Sequence, residues 1–201
     1  MRIYPLQIMG LLLCGIIISP GYAGDDDNRA AFNGIWIWNE KLSDNADKQV
    51  ARAIIAAGGK LKKNKNKGKY KYKGGPANHA MYNHITYDEV FHFHYAAPKV
   101  RIAYLDNYTR EFYADGRGRS ASATGGKVRD FSFADWDEDV LYVEARPRDG
   151  GKTYETYTLI DDGARLQVKM EIRPLSFGAS VRITRIFDRK TDGEGAPDSE
   201  P

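Results

Sequence analysis

Residues 164–173 read ARLQVKMEIR. Leu166, Val168, Met170 and Ile172 occupy every second position, and Arg165, Gln167, Lys169, Glu171 and Arg173 fill the gaps. Side chains alternate between the two faces of a β-strand, so this segment buries one face and wets the other. A parallel strand, covered on both faces, reads instead as a continuous apolar run, so the pattern predicts antiparallel sheet. The same period of two extends outward. Ser180–Asp188 lies beyond it, and Thr153–Ile160, Val140–Arg146, Lys127–Ala134, Tyr108–Tyr113, Val100–Leu105 and Val90–Tyr95 precede it. Turn formers stand between them: Asp161-Asp162-Gly163, Gly150-Gly151, Asp115-Gly116, Asp106-Asn107 and Pro98.

Nearer the N-terminus, Phe32–Asn39 (FNGIWIWN) reads as a strand. Ala46, Val50, Ala53, Ile54 and Ala57 then recur at helical spacing, with Asp44 as the expected N-cap and Gly58-Gly59 as the stop. Eight or nine strands joined by short turns, with one helix after the first, predict an all-β, up-and-down antiparallel β-barrel of about 8–10 strands. Closing such a meander removes its exposed edges.

The first 23 residues carry a different signal. Arg2 opens a weakly basic start, Ile8–Ile18 is almost wholly apolar, and Ser19-Pro20-Gly21 breaks the run before Ala23. This is the layout of a secretory signal peptide cleaved after Ala23. The run is about half the roughly 20 residues a spanning helix needs. Cys14, the single cysteine, follows Leu13 rather than a small residue, so a lipoprotein signal is not expected. Removing 23 of the 201 residues leaves 178 without cysteine, a chain free of pairing errors in an oxidising compartment. Residues 24–190 are the expected barrel domain, and the polar, acidic 191–201 an expected disordered tail. The predicted location is periplasmic or secreted, in a monomer that does not span a membrane.

Charge divides unevenly. Lys60, Lys62, Lys63, Lys65, Lys67, Lys69, Lys71 and Lys73 form an acid-free tract inside 60–76, expected as a flexible loop. Without it the mature chain has 21 basic against 27 acidic residues, so a mildly acidic body carries one very basic segment. The tract is a solvated insertion or a contact for polyanions such as lipopolysaccharide or anionic lipid. Nucleic acid is not an expected partner of an exported protein.

Motifs for catalysis are thin. His92 and His94 share one face of a strand and, with His79 or His84, are a weak candidate for Zn²⁺ or Cu²⁺. Asp135-x-Asp137-x-Asp139 has Val140 and Arg146 where a calcium loop needs Gly and Glu. Gly116-x-Gly118-x-x-Ala121 lacks the helix of a dinucleotide site. No nucleophile elbow, HExxH or P-loop is present, and no cofactor is implied.

Two sets of residues carry a resemblance. Gly34-x-Trp36 on the first strand, with Arg185 in the apolar row Val181, Ile183, Arg185, Phe187 of the last, resembles the lipocalins, in which a late Arg packs across the first-strand Trp. Gly34-x-Trp36-x-x-Asn39, Ser43-Asp44, Arg110-x-x-Tyr113-x-Asp115-Gly116-Arg117 and Trp136-x-x-Asp139-x-Leu141-x-Val143-Glu144 are similar to exported lipocalin-like proteins of Gram-negative bacteria, whose functions are unassigned. The Lys richness of 60–73 departs from that pattern, where Gly is more usual. The resemblance implies a periplasmic barrel, Arg185 over Trp36, and no reaction. Trp36, Trp38, Tyr104, Tyr154, Tyr157 and Arg185 are then the candidates for lining an apolar pocket, and a solid core fits the same residues. The expected function is non-enzymatic binding of a small apolar or amphipathic ligand. The alternative is docking of polyanions through the Lys tract.

Overall fold

A computed structural model describes residues 28–60, 89–105, 109–116, 120–124, 128–146, 151–173 and 179–191. The signal segment, the Lys tract beyond Lys60, His79, His84 and the acidic tail lie outside these residues. The described chain forms β1 (Gly34–Trp38), α1 (Ala46–Ala56), β2 (Val90–Ala96), β3 (Lys99–Tyr104), β4 (Thr109–Tyr113) and β5 (Ser120–Thr124). It continues as β6 (Val128–Asp137), β7 (Val140–Arg146), β8 (Lys152–Ile160), β9 (Arg165–Arg173) and β10 (Val181–Arg189).

The ten strands make one sheet in the order β4-β3-β2-β1-β10-β9-β8-β7-β6-β5. Every ladder is antiparallel and joins sequence neighbours, except that β1 also pairs with β10. The terminal strands of that order, β4 and β5, lie side by side. A single bridge, Ala114 to Ala134, ties the end of β4 to β6. The protein is therefore an up-and-down β-barrel with a helix after its first strand. It is closed by backbone ladders everywhere but at one packed seam.

Period two decides what the barrel encloses. Leu166, Val168, Met170 and Ile172 of β9 are buried, as are Leu141 and Val143 of β7 and Val100 and Ile102 of β3. Aromatic rings span the interior: Phe93 of β2 lies 6.2 Å from Tyr157 of β8, Tyr95 5.5 Å from Trp136 of β6, and Phe91 4.8 Å from Phe187 of β10. Phe32, just before β1, closes one end against Phe93 and Trp136. Ring pairs at these separations add directional attraction to burial.

Two local expectations are corrected. The N-cap of α1 is Asn45, whose side chain accepts from the Lys48 amide at 3.0 Å. Asp44 instead accepts from the Thr184 amide at 2.7 Å, because the chain leaving β1 still runs along β10 there. The second is β5, a strand the alternation did not reveal. Ser-Ala-Ser-Ala-Thr offers no apolar row, and its pairing with β6 supplies what its composition lacks. Among the described residues no helix is long and apolar enough to cross a membrane.

Candidate functional site

Apart from Arg185 and Arg189 of β10, the described inner face is apolar except at one level. Arg110 of β4 and Glu155 of β8 are 1% and 2% exposed, and each interrupts an apolar row. Arg110 Nη1 donates to Glu155 Oε2 at 2.8 Å. The Tyr157 hydroxyl donates to the same oxygen at 2.7 Å, and Thr153 Oγ1 donates to Oε1 at 2.9 Å. Both carboxylate oxygens are thus met. Burial alone pulls the Arg110 guanidinium down; Glu155, followed by Tyr157 and Tyr104, more than reverses this and holds it well above its ordinary value. Burial first, then the charge of Glu155, pushes the Tyr157 phenol well above its usual range, so at neutral pH it remains a donor.

A buried pair recovers its desolvation cost only when its remaining hydrogen-bonding groups are also satisfied. Here they are not. Arg110 Nη2, Ser132 Oγ and Trp136 Nε1 are buried without a partner. Ser132 and Trp136 flank Ala134 on β6, and Ala134 bridges Ala114 at the end of β4. Arg110, Ser132 and Trp136 are thus inward residues of β4 and β6, with Trp136 at the end that Phe32 closes. Small inward residues, Ala134 and Ala145 with Ser132, surround this level. An unmet buried donor costs about 1–3 kcal/mol.

The closed end is organised differently. Arg189, not Arg185, lies over Trp36, its Cζ 4.3 Å from the ring. The expected pairing fails by four residues because the β1–β10 register sets Trp36 opposite Arg189 and Trp38 opposite Phe187. Arg185 packs instead on Trp38 at 5.2 Å and on Phe187 at 4.9 Å. Arg189 donates through Nε to Gly163 O (2.9 Å), through Nη1 to Asn33 O (2.8 Å) and through Nη2 to Ala31 O (2.6 Å). Burial lowers its guanidinium from the ordinary value. Gly34 has φ +148°, and a Cβ there would sit 2.9 Å from Arg189 Nη1. Gly34-x-Trp36 is thus one device: the Gly leaves room for the Arg, and the Trp receives it.

Trp36, Trp38, Tyr104, Tyr157 and Arg185 share the inner face through the cross-strand register. Tyr154 stands three residues from Tyr157 on the same strand and so faces outward, beneath Arg173 at 4.6 Å. His92 and His94 are exposed on the outer face of β2, opposite the buried Phe91, Phe93 and Tyr95. Among the described residues no three His, Cys, Asp or Glu side chains gather as metal ligands. Of the Lys tract only Lys60 is described, and it is exposed. Sequence reasoning passed over Arg110, Glu155, Thr153 and Ser132. The signal was there in Arg110-x-Phe112 and Thr153-x-Glu155-x-Tyr157-x-Leu159, where charge occupies inward positions.

No family model matches the chain, and no curated protein matches it in sequence. Solved structures similar to it include Echinococcus granulosus fatty-acid-binding protein 1, at 13% identity and TM-score 0.48, covering 80% of this chain and 98% of that one. Zebrafish ileal bile acid-binding protein complexed with cholic acid matches at 12% identity and TM-score 0.47, covering 80% and 99%. A secretory abundant heat soluble protein from Ramazzottius varieornatus matches at 11% and 0.45, covering 80% and 96%. Identities and overlaps this low carry no chemistry from those proteins to this one.

Proposed function

We propose that the protein is a non-enzymatic carrier that holds a small amphipathic molecule inside the barrel, with an acceptor oxygen of the ligand against Arg110. The observation that carries this reading is the buried Arg110 with Nη2 unpartnered, accompanied by Ser132 Oγ and Trp136 Nε1. The aromatic and aliphatic inner face suits the apolar part of such a ligand. Turnover is not expected, since both oxygens of the only fully buried carboxylate among the described residues are already bonded. The seam between β4 and β5, where no ladder must break, is the natural entry.

The test is calorimetric titration with a saturated fatty acid, its methyl ester and the corresponding alkane. Stoichiometric binding in the order acid or ester above alkane is expected. Arg110→Met/Glu155→Leu, which removes the pair without leaving a lone charge, should abolish that preference. Equal affinity for acid, ester and alkane, or no binding of any of them, overturns the proposal. Export belongs to the same reading: we infer cleavage after Ala23, and N-terminal sequencing of the protein from the periplasmic fraction should begin at Gly24. An intact Met1 in the cytosolic fraction would refute it.

A further inference from the structure

The outer face of β6–β10 holds a groove of about 680 Å³, bordered at one end by Asp44 and Gln49 of the α1 region. That is within the roughly 300–1,000 Å³ of small-molecule sites. Its walls are outward side chains whose positions follow from the register. One cross-strand row runs Phe133, Glu144, Tyr154, Glu171, Arg182; the next runs Asp135, Tyr142, Thr156, Lys169, Thr184. Adjacent strands are about 4.8 Å apart, so Phe133, Tyr142 and Tyr154 form a triangle of rings around Glu144. Phe133 is 40% and Tyr142 45% exposed, and they stand on neighbouring strands as one apolar patch.

The charges in this groove are mostly spent on one another. Glu144 pairs with Lys152 at 3.3 Å, and Glu171 is held by Arg173 at 2.8 Å and Arg182 at 3.1 Å. Lys169, between Thr156 and Thr184, has no carboxylate partner among the described residues. The surface thus offers two open rings, Phe133 and Tyr142, a floor of hydroxyls, a side-chain amide and one cation without a carboxylate partner among the described residues.

We propose that this groove binds a saccharide bearing a carboxylate. The C–H faces of the sugar rings lie on Phe133 and Tyr142, where the negative π face meets weakly positive hydrogens. The sugar hydroxyls exchange hydrogen bonds with Thr156, Thr184 and Gln49, and the acid meets Lys169. A lipid tail is a poor occupant, because it would dehydrate Glu144, Glu171 and the threonines without replacing their water. A polyphosphate is disfavoured by the carboxylates of Asp44, Glu144 and Glu171. The site is on the opposite face of the sheet from Arg110 and stands independently of the carrier reading.

The experiment is titration of the whole mature protein with a maltooligosaccharide carrying one terminal uronic acid and with its neutral counterpart, followed by calorimetry and by perturbed amide resonances. Binding of the acidic oligosaccharide, with shifts confined to β6–β10, is expected. Tyr142→Ala should weaken it about tenfold. Lys169→Ala should bring the acidic sugar down to the affinity of the neutral one. Both residues project into solvent, so unchanged melting curves are expected and separate loss of binding from loss of fold. Absence of binding at millimolar sugar, equal binding by wild type and Tyr142→Ala, or a dimer in solution that Tyr142→Ala dissociates would each overturn the proposal.

Discussion

Two of the inward arginines of this barrel, Arg189 and Arg110, are in opposite conditions. Arg189 at the closed end has all three nitrogen groups on backbone carbonyls and its plane on Trp36. Arg110 is buried more deeply, is neutralised by Glu155, and still has a nitrogen with nothing to bond. On the carrier reading, burial is therefore not what separates a structural arginine from one poised for a ligand. Completeness of the hydrogen bonding does that. An arginine whose donors are all used locks parts of the chain together, whereas one left incomplete in a buried position stores an unmet demand.

The comparison can be broken most forcefully at Glu155. Glu155→Ala leaves Arg110 charged and alone, and urea unfolding should show a loss of roughly 3–5 kcal/mol. Arg110→Met/Glu155→Leu should instead unfold at the same denaturant concentration as wild type or higher, since well-packed apolar replacements of buried pairs are commonly neutral to stabilising. If the double variant is as damaged as Glu155→Ala, the pair is structural and the contrast with Arg189 collapses. Next in size is Arg189→Ala, which frees three carbonyls and uncovers Trp36; a loss of about 2–4 kcal/mol is expected, with a changed Trp emission. Gly34→Ala should cost more than about 1 kcal/mol in the same assay, from its positive φ and the close approach of Arg189. Combined with Arg189→Ala, its steric part should vanish, so the two costs should not add.

The smallest effect is a pH dependence. The Tyr157 phenol titrates above its ordinary value of 10.0 in the folded state. Its contribution to stability is complete below the unfolded value and is lost as pH rises through the folded one. Stability measured between pH 8 and pH 11 should therefore fall less steeply above pH 10 in Tyr157→Phe than in wild type. Arg189 has no phenol beside it, so Arg189→Ala should leave that slope unchanged.

The sheet was legible because a half-buried strand cannot hide its period. Leu166 to Ile172 announce β9, and Val181, Ile183, Arg185 and Phe187 share a face as read. Strand β5 was not legible, since Ser and Ala alternate without a clear difference in polarity. Register was not legible either. Parity placed Arg185 and Trp36 on one face, but parity is satisfied equally by Arg189, and only the pairing of β1 with β10 chooses between them. The Asp44 N-cap failed for a related reason: two adjacent residues can each cap, and the contact of Asp44 with β10 decided for Asn45. For Arg110 and Glu155 the local signal existed on two separate strands, 45 residues apart in sequence. Neither charge looked purposeful until the barrel set them face to face.

The seam between β4 and β5 has one further consequence. An open ten-stranded sheet presents two raw edges, each a template for another chain. Here each edge shields the other by lying against it, with no ladder between them. Any breathing wide enough to admit cargo bares both edges in the same motion. On the carrier reading, cargo exchange and self-association are thus coupled, and an occupied barrel is expected to aggregate less than an empty one.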